Sequence, residues 1–116
     1  MHHILRSVLL LASIAAASGA FCESENSFLT STRASMRTMM TDMQIAPRGD
    51  VDQDFIGEMI PHHRGAIDMA KAELLYGHNE QLRRIAQEII VEQQAEIVVM
   101  QREQVSPDGP ARPRGN

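Results

Sequence analysis

Apolar residues recur at Leu29, Met36, Met39, Met40 and Met43, at helical spacings of three, four and seven, with Ser, Thr and Arg between them. That spacing predicts one amphipathic helix over residues 25–44. Ala46-Pro47-Arg48-Gly49 breaks the pattern, and Asp50 or Asp52 then offers an N-cap, with Asp52 and Asp54 where the helix dipole favours anions. A second helix should run from there to Tyr76. Gly77-His78-Asn79 reads as a C-cap and turn, with Asn79 capping a third helix from Glu80 to about Val105. No stretch alternates as a strand would. The tail from Ser106 holds three Pro and two Gly in eleven residues, a disordered composition.

At about 100° per residue, Phe55, Met59, His62, Ala66, Met69, Ala70 and Glu73 share a narrow sector of the second helix. His63, Ile56, Ile60, Ile67 and Leu74 lie beside it, so both histidines are expected to border the buried face. On the third helix Leu82, Ala86, Ile89, Gln93, Ile97 and Met100 share a face flanked by Ile90 and Glu96. Gln93, polar within an apolar stripe, needs a hydrogen-bond partner. Glu88, Glu92 and Glu96, at i, i+4 and i+8, read as a solvated line of carboxylates. Pro61 is open to two readings: an interior proline that kinks the helix and frees the Gly57 carbonyl, or the first residue of a helix that begins after a separate turn.

The pattern gives an all-α chain, an antiparallel bundle of three main helices over residues 24–105. About 80 ordered residues make a modest core, and self-association into a homo-oligomer would complete a four-helix arrangement.

Residues 1–20, MHHILRSVLLLASIAAASGA, carry Arg6, an apolar run from Val8 to Ala17 and small residues before Ala20. These are the three parts of a secretory signal peptide, with cleavage expected near Ala20 and delivery to the periplasm or exterior. The apolar run is about half the ~20 residues a bilayer span requires, so no stable membrane anchor is expected. Phe21, and the lack of a Leu at the right place, speak against lipoprotein processing at Cys22. Cleavage removes Arg6 and no acid, leaving ten basic and fifteen acidic residues. Scattered Arg on an acidic chain excludes an evident nucleic-acid face, and the single Cys excludes an internal disulfide framework. Cys22 reads as an inert terminal residue or a thiol that pairs between chains.

Eight Met against no Trp, one Tyr and three Phe raise the question of chemistry. Thioether sulfur and imidazole nitrogen suit Cu(I) above Mg, Ca or Mn. Met36, Met39, Met40 and Met43 lie on one helix; Met59, His62, His63 and Met69 lie on the next, where residues three, four and seven apart meet on one side. Glu58 or Glu73 would orient an imidazole. The same residues also read as core filler and a structural His pair. Di-iron chemistry requires Glu-x-x-His, and Met59 and Ile60 stand where those Glu would be. His-Glu-x-x-His, paired Cys, a Ser-His-Asp arrangement and a Gly-rich phosphate loop do not occur, and no turnover is expected.

The run from Asp54 to Ala70, DFIGEMIPHHRGAIDMA, resembles the signature of the domain-of-unknown-function 305 family, and Leu82, Ile85-Ala86, Ile89-Ile90, Gln93, Glu96-Ile97 and Met100 are similar to its later pattern. The likeness spans about residues 52–101. It implies a ferritin-like helical bundle, export, and, in the CopM-like members, copper held by Met and His, which falls here on Met59, His62, His63 and Met69.

Two readings go forward. One is an exported copper buffer or chaperone that takes Cu(I), and Cu(II) through His, and loses affinity as neutral imidazole is protonated below ~6.5. The other is an interaction module whose Met-rich apolar face binds a partner or client protein.

Overall fold

A computed structural model describes residues 2–105, with side chains from Cys22 to Gln104. The expected disordered tail lies outside the described residues. Three helices follow in order, α1 over His2–Asp42, α2 over Val51–Tyr76 and α3 over Glu80–Val105, with no strand among the described residues. The chain is an all-α helical bundle.

α1 is longer than the spacing implies. It begins at His2, not near residue 25, and runs unbroken through the expected cleavage point. Residues 5–17 are rich in Leu and Ala, which have high helix propensity, so they continue the same helix; the periodicity marks only the part with one apolar face. On the polar side of α1, Thr32, Ser35 and Thr41 donate their hydroxyls one turn back, to the carbonyls of Phe28, Ser31 and Arg37, so these side chains stay within the helix's own hydrogen bonding.

α2 and α3 have the bounds that their caps dictate. The Asp50 carboxylate accepts from the amides of Asp52 and Gln53, and the Asn79 side chain accepts from those of Gln81 and Leu82. Pro61 lies inside α2, one helix through the proline, which settles its two readings. The turn before Asp50 reverses at Gly49, whose φ of 83° suits a residue without a Cβ. At the far end Arg83 of α3 donates from Nη1 to the carbonyls of Leu74 (2.6 Å) and Gly77 (3.0 Å), capping α2 with a charge from its neighbour.

α2 is the central element. It packs against α1 on one side and α3 on the other, while among the described residues no Cα of α1 comes within 8 Å of one in α3. Both pairings are antiparallel. Gly65 comes level with Met39, and a Cβ built there would lie 2.7 Å from the Met39 sulfur and 3.0 Å from its Cβ, so the glycine is what lets α1 sit so close. His63 comes level with Glu96. The core lies between α2 and α3: Ile56, Ile60 and Ile67 with Ile97, and Ile90 and Met100 half-buried against them. Among the described residues no large side chain is completely buried, so the molecule is an open layer of three helices.

Candidate functional site

The buried stripe of α2 differs from the expected one. Ile56, Ile60, His63, Ile67 and Ala70 form it, whereas Phe55 is 57% exposed, His62 is exposed, and Met59, Ala66, Met69 and Glu73 are half-buried. The sector centred on His62 is therefore the open side of the layer, not its core. It falls there because α1 and α3 take opposite flanks of α2 and do not meet over it.

The two histidines part at this boundary. His63 is 8% exposed, with Nδ1 2.7 Å from the Met59 carbonyl and Nε2 2.7 Å from Glu96 Oε2. Both neighbours are acceptors, so the ring donates from both nitrogens when protonated and from one when neutral. Gln93 reaches the same carboxylate oxygen from Nε2 at 3.4 Å, which is the partner its position demanded. A metal ion on His63 Nε2 would require Glu96 to turn away. His62, by contrast, meets His63 edge-on at 5.9 Å between ring centroids, and its nitrogens have no hydrogen-bond partner among the described residues.

The acceptor on His63 comes from α3, not from α2. Glu58 is exposed, and the Glu73 carboxylate folds against Gly77, so neither fills the orienting role expected of it. Glu96 belongs to the line read as solvated; it remains 58% exposed while making the pair, and Glu88 and Glu92 are exposed as expected. Its place beside Gln93 on the border of the α3 stripe was the signal in the sequence.

The methionines of α1 divide likewise. Met39 faces α2 with its sulfur on Gly65. Met36, Met40 and Met43 follow within roughly a quarter turn of it on the His62 side of the layer; Met36 is 48% and Met40 57% exposed, and Met43 is half-buried. Stepping α2 from Gly65 puts Met59, His62 and Met69 on that same side. Stepping α3 from Ile97 adds Leu82, Ile85 and Ile89 there, the first two about half exposed. Among the described residues no three His, Cys, Asp or Glu side chains converge to hold a metal ion. The donors on the open side are thioethers and one free imidazole.

A family model described as Domain of unknown function (DUF305) matches residues 4–103. The chain belongs to the DUF305 family. The matched span takes in all three helices and reaches well before the doubled-His motif. No curated protein and no solved structure matches the chain. Elsewhere on this DUF305 chain, an open groove of about 690 Å³ lies where α1 passes the end of α2, bounded by Cys22, Asn26, Ser31 and Tyr76. Cys22 is an exposed free thiol there, accepting weakly from Asn26 Nδ2 at 3.8 Å. Among the described residues no helix is long and apolar enough to cross a membrane.

Proposed function

We propose that this DUF305 protein is exported to the periplasm or exterior, where it binds copper as cargo, Cu(I) by preference and Cu(II) through imidazole, and performs no turnover. The observation that carries the reading is the gathering of Met36, Met40 and Met43 from α1 with Met59, His62 and Met69 from α2 on one open side of the layer. Thioethers and a neutral imidazole are donors for a soft cation, and no carboxylate or thiolate cluster competes with them among the described residues.

The roles divide by environment. His62 offers a ring nitrogen without a hydrogen-bond partner among the described residues, and Met36 and Met40, about half exposed, lie on the same side of the layer. Met39 is held by packing on Gly65, and His63 holds α2 to α3 through Glu96. Export rests on the leader sequence. The pairing of α1 with α2 ends at Tyr76, level with Phe28, so cleavage near Ala20 leaves the paired part of α1 whole.

Replacing Met36, Met40 and Met43 by Leu tests the reading, because volume and apolarity stay nearly constant while the sulfurs go. Cu(I) affinity should fall at least about tenfold, a loss already typical of changes outside the ligand shell. Unchanged affinity would mean that the stripe serves packing or protein contact alone.

A further inference from the structure

The open side of the layer carries more apolar surface than a metal site needs. Met36, Met40, Phe55, Leu82 and Ile85 are each about half exposed, come from all three helices and face the same way. α2 has 26 residues, so this face is ~39 Å long at 1.5 Å per residue. Helix axes ~8–10 Å apart make it ~18 Å wide between α1 and α3. The product, ~700 Å², approaches the ~800 Å² that each partner contributes to a standard protein interface.

The rims of the face differ in charge. Arg33 and Arg37 stand on the outer, open-side edge of α1, and Glu88 and Glu92 on that of α3; all four are exposed, and none has an ion-pair partner among the described residues. Their levels coincide. Counting from Met39 opposite Gly65 brings Arg37 level with Ile67 and Arg33 level with Lys71. Counting from Glu96 opposite His63 brings Glu92 and Glu88 to the same two levels.

We infer that a second copy of this chain docks on the open face, related by a two-fold axis parallel to α2, with Arg33 and Arg37 of each copy against Glu88 and Glu92 of the other. Such an axis exchanges the α1 and α3 edges without shifting any residue along the layer, so the basic rim of one copy meets the acidic rim of the other in register. Between the rims each position of α2 meets its own counterpart in the other copy, Phe55 against Phe55 and His62 against His62. The contact is isologous and closes at two copies. It needs no metal and holds for the metal-free protein, and it encloses Met36, Met40 and His62 of both copies.

Sedimentation velocity of the protein as isolated, in chelator and at low salt, tests this by charge exchange. The unmodified chain should be a dimer. Reversing one rim, Arg33→Glu with Arg37→Glu, sets like charges against each other twice per dimer and should raise the dissociation constant at least about tenfold. Adding Glu88→Arg and Glu92→Arg to the same chain should restore dimerisation. All four side chains are exposed, so helix content by circular dichroism should stay constant through the series. A monomeric unmodified chain, or a dimer indifferent to the first reversal, or one that the second fails to restore, would overturn the inference.

Discussion

Replacing His62 by Ala should leave stability within about 0.5 kcal/mol, since its ring is exposed and has no hydrogen-bond partner among the described residues. His63→Ala should cost about 1–3 kcal/mol, because it removes a buried ring that joins the Met59 carbonyl to Glu96. Urea unfolding of the two variants side by side checks the contrast, and equal losses would refute the division of roles. The doubled histidine is plain in the sequence, but which member faces inward is not. Adjacent helical residues differ by about 100°, and the direction of the core is set by where α1 and α3 sit. Periodicity alone centred the buried face on His62, one residue away from the position that the fold buries.

Among elements, the caps were the most legible features. Asp50 and Asn79 bond two amides each, and both helices start where those side chains place them. Less legible was the role of Gly65, since a glycine in a helical pattern does not announce what crosses it. Gly65→Val should destabilise by about 1–3 kcal/mol through overpacking against Met39, and Met39→Ala in the same chain should recover part of that loss. Denaturation of both variants reads the effect; a neutral Gly65→Val would mean that α1 is not seated on α2. Pro61 provides the opposite case. It lacks the amide that would reach the Gly57 carbonyl inside α2, and a proline there costs up to about 3 kcal/mol. Pro61→Ala should therefore raise the melting temperature, and a lower one would show that the proline is preferred in its place.

For the molecule as a whole, three helices side by side leave one broad face without cover. The sequence supplied the number of helices and their antiparallel order. It did not reveal that α1 and α3 stay apart, because amphipathicity reports how much of a helix is apolar and not which neighbour covers it. That separation turns the expected core sector into a surface with thioethers and an imidazole on it, and in a single copy it leaves Met36 and Met40 about half exposed.

The central claim is that this face binds copper through sulfur and His62. An anaerobic titration of the protein with Cu(I) against a competing chelator, run beside His62→Ala, tests it most directly. Tight binding by the unmodified chain, weakened at least about tenfold in a variant of unchanged helix content, is the predicted result. Binding that the chelator abolishes entirely, or equal affinity in both proteins, would contradict it.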